Sequence, residues 1–225
     1  MKRDKKPKKE KIVRNDRVTF LHSLKFRMSL LTAGAVIIAA VIILALVIPE
    51  AKSTLLDQTK NYLHDVTVSN GATLEMMRKQ IKLKDPEALK DSFQNVGLDG
   101  IDSSYAYVVT ADGTMQYHPT ADKIGKPVEN AVIKDVVAQM AQGKRPEAKV
   151  ASYDFNGVQK YAAYYVDEAR SSVLVVSADQ SEILAPLNKV TYISIGASVA
   201  VIIIMVIVSL ILITASLRPI SKISA

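Results

Sequence analysis

The sequence predicts an α+β domain, built from a long N-terminal helix and a five-stranded antiparallel sheet, that lies between two transmembrane helices. Residues 29–48 and 190–217 contain no charged residue. Either run can cross a hydrocarbon core of about 30 Å as a helix, because a span needs about 20 apolar residues. Between the two runs, short segments alternate apolar with other residues at the period of a β-strand.

The charge distribution predicts the orientation of the chain in the membrane. Residues 1–28 carry 11 Lys or Arg against 3 Asp or Glu, whereas residues 49–189 carry about −3 and the whole chain +7. Basic flanks of membrane helices stay in the cytoplasm, so we expect cytoplasmic termini and an extracytoplasmic segment 49–189. The basic tail is therefore interpreted as a topology signal and not as a nucleic-acid site. A cleaved signal peptide is disfavoured because no A-x-A site follows the first run.

The first membrane helix is expected to end at Pro49, with a kink. Residues 50–84 then form a long helix, because apolar residues recur at spacings of three, four or their sums, namely Leu55, Tyr62, Val66, Leu74, Met77 and Ile81. Such a helix is about 50 Å long at 1.5 Å per residue, more than a small domain needs. We expect it to form a stalk and the seam of a homodimer; packing of the same stripe on the chain's own sheet is the other interpretation.

The middle of the chain is predicted to hold two short helices and five strands. Asp112-Gly113 and Asn156-Gly157 are pairs that tight hairpin turns favour. Pro119 ends the second strand because it lacks an amide donor, so a loop follows at the mouth of the hairpin. In chain order the elements are a helix from Asp85 and Pro86 to Gly97, strands 105–110 and 114–118, a helix around Ile133, Val136, Val137 and Met140 that Gly143 ends, and strands 147–155, 158–166 and 171–178.

Two pairs of carboxylates near the end of this region are expected to have structural or no specific roles. Asp179 and Glu182, three residues apart, resemble a capping box. They predict a helix that continues into the second membrane span without a flexible linker, which would couple the last strand to the membrane. Asp167 and Glu168 lie in a turn, where we expect both to be solvated.

The order of these elements resembles a single Cache domain, the PAS-like extracytoplasmic sensor module of bacterial receptors. The stretch YAYVVTADGTMQYHPTADKIGKP, residues 105–127, is similar to the strand, Asp-Gly turn and His-Pro loop of that family. The layout of basic tail, span, sensor and span resembles the N-terminal half of methyl-accepting chemotaxis proteins. Leu217, Arg218, Pro219 and Ile220 are similar to the opening of a HAMP domain. The expected segments are a cytoplasmic tail (1–28), a first span (29–48), the sensor domain (49–189), a second span (190–217) and a truncated HAMP start (218–225).

The resemblance implies a homodimeric chemoreceptor of the cell membrane that senses an extracellular small molecule. Its partners would be a cytoplasmic chemotaxis kinase and adaptor, bound through a C-terminal part that continues beyond Ala225. A membrane histidine kinase or a cyclic-dinucleotide enzyme is the alternative, because the same sensor and HAMP parts precede those outputs. A purely structural membrane anchor is the third interpretation.

Members of this family bind small molecules under the hairpin loop, on the sheet face opposite the long helix. A tyrosine there would provide an apolar wall with one hydroxyl, and a Lys or His would supply charge to a carboxylate, so the ligand class implied is a small carboxylate. For each residue, packing in the core or exposure to solvent is the alternative role. The candidate ligand-binding residues are Tyr105, Tyr107, Tyr117, His118, Tyr153, Lys160, Tyr161 and Tyr164.

The residue types present argue against catalysis. The chain has no cysteine, which excludes thiol catalysis and thiolate metal sites. Its three histidines, His22, His64 and His118, are too scattered to suggest a metal site, and neither a G-x-S-x-G nor a P-loop motif is present. We therefore expect no enzymatic activity, no metal and no cofactor within these residues.

Overall fold

The computed structural model describes residues 24–80, 83 and 85–217. The greater part of the basic tail and the expected HAMP start, residues 218–225, lie outside the described residues. The helices are α1 (Leu24–Lys79), α2 (Pro86–Phe93), α3 (Ala131–Ala141), α4 (Gln180–Ile183) and α5 (Ala185–Leu217), and the strands are β1 (Tyr105–Thr110), β2 (Met115–Tyr117), β3 (Lys149–Phe155), β4 (Val158–Val166) and β5 (Ser172–Asp179). A short 3₁₀ turn, Ala121–Lys123, lies in the loop after β2.

Two helices are long and apolar enough, by length and composition, to cross a membrane: Leu30–Lys79 within α1 and Ala185–Ile211 within α5. The most apolar window of each is unburied, and Leu31 and Tyr192 expose 74% and 76% of their surface. Lipid covers such side chains while a helix satisfies its own backbone hydrogen bonds. These two helices fit a membrane protein, as the sequence predicts.

The chain divides into two compact units. One unit combines the chain up to Leu44 with the chain from Ser194, and the other is Ala45–Ile193. The second of these, called the sheet unit below, contains all five strands and helices α2 to α4. The candidate site therefore has to be sought in the sheet unit.

The sheet is antiparallel throughout, with strand order β2-β1-β5-β4-β3. β1 and β5 are central and pair along their length, from Tyr105 opposite Ser177 to Thr110 opposite Ser172. The turn between β3 and β4 has Asn156 and Gly157 at φ of 54° and 82°, the left-handed conformations that the type I′ hairpin requires. The predicted fold class, a long N-terminal helix with a five-stranded antiparallel sheet between two apolar helices, is confirmed.

Each face of the sheet is covered by a separate apolar cluster. One cluster joins the face to α1 and α2 and includes Leu63, Leu74 and Phe93, which are fully buried. The other joins the opposite face to α3 and the loop after β2, with Ile133 and Val136 at its centre. We call these faces the helix α1 face and the loop face.

A bulge in β2 decides which side chains reach which face. Val108 pairs with Tyr117, whereas the next residue, Val109, pairs with Met115, so Gln116 is an extra residue in its strand. Because side chains alternate with a period of two, one extra residue reverses the sides of those that follow. Met115 accordingly packs in the loop-face cluster and Tyr117 in the helix α1 cluster.

The expected end of the first helix at Pro49 is wrong, because α1 contains Pro49 in its interior. A proline removes one hydrogen bond of a helix, and an apolar environment favours keeping the others. The predicted stripe is only partly the buried side of α1: Leu74 and Met77 are buried as part of it, but Tyr62 is 48% exposed. Leu63 and Thr67, which lie outside the stripe, are fully buried. A stripe at helical spacing does not say which of two apolar sides meets the sheet.

The predicted capping box at the start of α4 is also wrong. The Asp179 side chain makes no cap hydrogen bond and pairs instead with the Lys160 ammonium group. The Glu182 carboxylate accepts hydrogen bonds from the backbone amides of Asp102 and Ser103, at 2.7 and 2.8 Å. Helix α4 is thereby fastened to the segment that leads into β1. As predicted, α5 follows closely, beginning at Ala185.

Asp167 is fully buried, which corrects the expectation that both carboxylates of this turn are solvated. It accepts hydrogen bonds from the amides of Ser171 and Ser172 and from the Ser171 hydroxyl, and Arg78 Nε lies 3.7 Å away. A buried carboxylate is stable only with such partners. Glu168, whose side chain is 63% exposed, agrees with the expectation.

We predict that Gly71→Ala destabilises the sheet unit although alanine favours helices. A Cβ at Gly71 would lie 2.7 Å from Cδ1 and 2.8 Å from Cγ of Tyr165, whose hydroxyl is held by Arg145. The overpacking should cost about 1 to 3 kcal/mol, which outweighs the helix-propensity gain of about 1 kcal/mol. Thermal denaturation followed by circular dichroism measures the loss.

Gly196→Ala is the matched control, because nothing lies within 4 Å of the added Cβ. The cost of Gly71→Ala should shrink in a Tyr165→Leu background, where the ring is gone. An unchanged or raised melting temperature for Gly71→Ala in the wild-type background would contradict the close approach.

Candidate ligand-binding site

The candidate site is a cavity of about 180 Å³ on the loop face of the sheet. Its floor comes from β1, β2 and β3, and the loop after β2 with the residues that lead into α3 form its roof. The sequence folds this way locally because Pro119 ends β2 and Gly125, at a φ of 78°, turns the loop back. The lining residues are Tyr105, Tyr107, Met115, His118, Thr120, Lys123, Glu129, Asn130, Tyr153 and Phe155.

Three aromatic rings form the centre of the cavity wall, two from β1 and one from His118, which directly follows β2. The His118 ring lies 5.2 Å from the Tyr105 ring, edge to face, and 5.7 Å from the Tyr107 ring. The two tyrosine rings are 6.0 Å apart. Aromatic contacts at these distances hold side chains in one arrangement, so the wall is formed before any ligand arrives.

Hydrogen bonds connect this wall to α3 and to the central strand. Asn130 Oδ1 accepts from the Val132 amide as the cap of α3, and Asn130 Nδ2 donates to the Tyr107 hydroxyl at 3.1 Å. The Tyr153 hydroxyl lies 2.8 Å from Ser177 Oγ, which in turn donates to a backbone carbonyl in β4. Both phenols are therefore anchored by residues that the core holds in place.

Two ion pairs flank the aromatic wall. At the rim, Lys123 Nζ is 2.6 Å from Glu129 Oε2. At the other side, Lys160 pairs with Asp179, and its ammonium group lies 5.7 Å from the centre of the Tyr105 ring. Burial, then the negative charges of Asp179 and Glu129, raise the pKa of Tyr105, so this phenol stays neutral. The site thus offers cationic and anionic groups in pairs.

His118 is a neutral donor in this structure. The Thr120 amide donates to Nδ1 at 2.9 Å, which assigns the ring proton to Nε2. Burial and, after it, the positive charge of Lys123 lower the pKa of His118 below its ordinary value. Of the two forms that the sequence left open for His118, an ionised donor or a polar one, the geometry therefore favours the neutral N–H group.

The eight predicted site residues separate into three groups. Tyr105, Tyr107, His118 and Tyr153 line the cavity together, and Lys160 borders it through the Tyr105 ring. Tyr164 lies on the same face but packs in the apolar cluster towards α3. Burial, and to a smaller extent the negative charge of Asp135, raise the pKa of Tyr164. The ligand-binding role of each residue stays a prediction.

The remaining two, Tyr117 and Tyr161, lie on the helix α1 face. Tyr117 is there because of the bulge at Gln116, and Tyr161 because its strand neighbours Lys160 and Ala162 point to the other side. The Tyr161 ring carries Lys60 of α1 at 5.3 Å from its centre. The sheet therefore separates these two tyrosines from the cavity.

Six of the ten residues that line the cavity were missed by the sequence analysis, Met115 and Thr120 among them. Lys123, Glu129 and Asn130 come from the loop and the start of α3, and Phe155 comes from the end of β3. The His-Pro loop was recognised as a roof, but no individual residue in it was given a role. Its alternation of charged and small residues was the available signal, because a roof over a polar cavity needs charged groups at its rim.

The described residues include no group of three or more His, Cys, Asp or Glu that could hold a metal ion. The cavity combines apolar ring faces with ammonium, carboxylate, amide and imidazole groups. Such an arrangement binds and orients a small polar molecule.

No protein-family model matches the chain, and no curated protein sequence matches it. Among solved structures it is similar to a Cache chemosensory domain that recognises carboxylic acids, with 14% identity, a TM-score of 0.40, and coverage of 58% of this chain and 97% of that one. It is also similar to the ligand-binding domain of the Pseudomonas aeruginosa amino-acid chemoreceptor PctB in complex with L-Arg (20% identity, TM-score 0.31, 46% of this chain and 38% of that one). A third similar structure is the extracellular domain of the histidine kinase mmHK1S-Z3 (20%, TM-score 0.37, 46% and 39%).

The chain thus spans 38% to 39% of the length of the chemoreceptor and kinase domains that it matches. These likenesses concern the fold. The ligands named belong to those proteins.

We predict that His118 titrates below the ordinary histidine value of about 6.5. Because its folded pKa is lowered, the unfolded chain binds this proton more tightly, so stability falls as the pH drops below about 6.5 towards the folded value. NMR of ¹⁵N-histidine-labelled protein, which has three histidines, measures the titration directly.

Lys123→Met should raise the pKa of His118, because it removes the nearby positive charge and leaves Glu129 without its partner. The His118 signal is identified as the one that disappears from the spectrum of the His118→Gln variant. A titration midpoint at or above the ordinary value in the wild-type protein would show that the ring is solvated and does not form the wall described here.

Proposed function

We propose that this chain is the sensor and membrane region of a transmembrane chemoreceptor that detects an extracellular small molecule. The observation that carries the proposal is the preformed cavity under the loop, where three strands and the loop bring aromatic and paired charged side chains together. The flanking apolar helices support a membrane location for the same chain. The proposed role of these residues is binding and signal transmission without catalysis.

The ligand is proposed to be a small carboxylate, amino acids included. A cavity of about 180 Å³ has room for a compact ligand, since one of about 150 Å³ can hold benzene. A ligand carboxylate can take the place of Glu129 beside Lys123, or of Asp179 beside Lys160. An ammonium group on the ligand would then pair with the released carboxylate, so that neither charge of the original pair stays without a partner.

Signal transmission is proposed to start at the Lys160–Asp179 pair. Asp179 is the last residue of β5 and immediately precedes α4, and its amide donates to the Ser103 hydroxyl. A ligand that competes for Lys160 would therefore alter the contacts at the start of the helical segment that leads into α5. This requires the ligand to bind the altered state more tightly, since only differential affinity shifts an equilibrium.

The proposed topology has both termini in the cytoplasm and the sheet unit outside, because the basic flank precedes the first span. We further propose a homodimer that acts on a cytoplasmic chemotaxis kinase and adaptor through a part beyond Ala225. A histidine kinase or cyclic-dinucleotide enzyme with the same sensor is the alternative. The cytoplasmic domain that the sensor serves would decide between them.

A thermal-shift screen of the full chain in lipid nanodiscs against small carboxylates and amino acids tests the sensor function. We expect at least one compound to raise the melting temperature, because a ligand that binds only the folded state stabilises it. Absence of stabilisation by any small polar compound would favour the structural-anchor interpretation.

With such a compound in hand, we predict that Lys160→Met weakens its affinity about 10- to 150-fold, the effect of one charge-assisted hydrogen bond of about 1.5 to 3 kcal/mol. His118→Gln should weaken it only about 2- to 12-fold, because the neutral ring contributes about 0.5 to 1.5 kcal/mol. Isothermal titration calorimetry measures both.

Tyr161→Phe is the matched control for a tyrosine hydroxyl, since Tyr161 lies on the other face of the sheet, and Tyr107→Phe is its counterpart inside the cavity. Only the Tyr107 variant should bind differently from wild type. Equal binding by wild type, Lys160→Met, His118→Gln and Tyr107→Phe would place the ligand elsewhere.

A single cysteine at position 62 tests topology and dimerisation together, because the chain has no cysteine of its own. Tyr62 is 48% exposed on α1, whereas the adjacent Leu63 is fully buried against the sheet. We predict that Tyr62→Cys reacts with a membrane-impermeant maleimide in intact cells and forms a disulfide with its own copy. Gel electrophoresis without reducing agent measures the crosslink.

Leu63→Cys is the control. While the sheet unit is folded, it should neither react with the maleimide nor form a disulfide with its own copy. Labelling of Tyr62→Cys only after the cells are lysed would reverse the proposed topology. Failure of Tyr62→Cys, and of cysteines at the other exposed positions between 55 and 66, to crosslink would remove the homodimer seam.

A further inference from the structure

A second, larger cavity lies beside β2, on the opposite side from the candidate site. Its volume is about 410 Å³, against about 180 Å³ for the cavity under the loop. It is bounded by α2 on one side and by the end of β2 with its loop on the other. The lining residues are Pro86, Glu87, Lys90, Gln94, Tyr117, His118, Pro119, Ala121 and Ile124.

Tyr117 provides a nearly buried phenol whose hydroxyl has no hydrogen-bond partner among the described residues. The side chain is 4% exposed and packs against Phe93, with ring centres 6.4 Å apart. No described residue donates a hydrogen bond to its hydroxyl or accepts one from it. The hydroxyl oxygen is nevertheless accessible and not enclosed by the protein. The ring is therefore buried while its hydroxyl opens to the cavity, where it is free to exchange a hydrogen bond with a ligand.

Two further donors lie on the rim, one helical turn apart. Lys90 is in the last turn of α2 and Gln94 is its C-terminal cap residue. Within the described part of the chain, neither Lys90 nor Glu87 takes part in an ion pair. Glu87 lies in the first turn of α2, where the helix dipole favours a negative charge without any counterion. Lys90 lies in the last turn, where the dipole likewise favours its positive charge, so its exposed ammonium group stays charged on the rim and is available to an anionic ligand group.

The rest of the wall is apolar. Pro86, Pro119 and Ala121 present ring and methyl groups, and Ile124 is 42% exposed although it is a large aliphatic side chain. An apolar wall with a few convergent polar groups is the usual composition of a small-molecule site. The volume exceeds what a short aliphatic acid would fill.

We propose that this cavity is a second ligand-binding site, and that it takes a small aromatic carboxylate. The ring of the ligand lies against Pro86, Pro119 and Ile124, and its carboxylate accepts from the Tyr117 hydroxyl, Lys90 and Gln94. This site is independent of the one under the loop, although His118 lines both cavities. A ligand in the second site therefore touches a residue that forms the wall of the first.

The probe for the test is 4-fluorophenylacetate, added to the full chain in lipid nanodiscs and followed by ¹⁹F NMR. We expect saturable binding that shifts the ¹⁵N signals of His118. The cationic analogue 4-fluorophenethylamine and the neutral 4-fluorobenzyl alcohol should bind more weakly, because three donors face one ligand head group. Acetate, which lacks the ring, should not displace the probe.

Tyr117→Phe keeps the ring and removes only the hydroxyl, and it should weaken probe binding about 2- to 12-fold. Lys90→Gln should weaken it up to about 5-fold, the range for an exposed charge, while Lys144→Gln, an exposed lysine that lines neither cavity, should not. Ala121→Phe fills the cavity and should abolish saturable binding, which leaves partition of the probe into lipid as the residual signal. Circular dichroism verifies that each variant is folded.

Tighter binding of the amine than of the acid would overturn the carboxylate assignment, because Glu87 would then dominate the rim. Probe binding that is equal in wild type, Tyr117→Phe and Ala121→Phe would overturn the site itself. Displacement of the probe by acetate would place it in the cavity under the loop instead.

Discussion

The pairing of β1 with β5 is the interaction on which the sheet unit depends. Every residue of β5 from Ser172 to Ala178 is buried, and the strand is covered on both faces, so its backbone groups can be satisfied only by its two neighbours. On one side of this pair the unit builds a core with α1 and on the other a core with α3. The cavity under the loop exists because the second covering layer is incomplete near the end of β2.

One extra residue in a three-residue strand distributes the chemistry of that end. The bulge at Gln116 turns Tyr117 towards α1 and brings His118 to the ring cluster of Tyr105 and Tyr107. Consecutive residues of the His-Pro segment consequently contribute to two different cavities. His118 lines both, so any change in its position is felt on both sides of β2.

The charged groups around the cavity form two local ion pairs. Lys123 with Glu129, and Lys160 with Asp179, neutralise each other at short range, so neither ammonium group is left unpaired at the edge of the rings. A ligand bound as proposed would replace one partner of a pair, and competition with that partner would make binding selective for ligand charge and geometry. The Glu182 carboxylate, held by two backbone amides, ties the same region to the segment before β1.

The order and type of the elements were predictable from local sequence alone. Strand alternation, the Asn156-Gly157 turn and the Asp85-Pro86 helix start each act within a few residues, and the structure has them in the predicted places. The two apolar spans are likewise a property of composition. Tyr105, Tyr107 and His118 could be placed together because they belong to one hairpin and its mouth. Tyr153 lies on β3, two strands away from β1, and was a candidate only through the resemblance to a Cache domain.

What tertiary structure alone decided is which side of each element faces what. Sequence spacing assigns Tyr117 and Tyr161 to strands, but the bulge and the strand register place them on the helix α1 face, away from the cavity. Asp167 and Asp179 have the same side chain but different partners. Asp167 is buried and accepts hydrogen bonds from the amides of Ser171 and Ser172 in its own turn, whereas Asp179 pairs with Lys160 of the neighbouring strand. Periodicity records local backbone geometry, whereas burial and pairing depend on elements brought together across the chain, and that is why only the folded structure determines them.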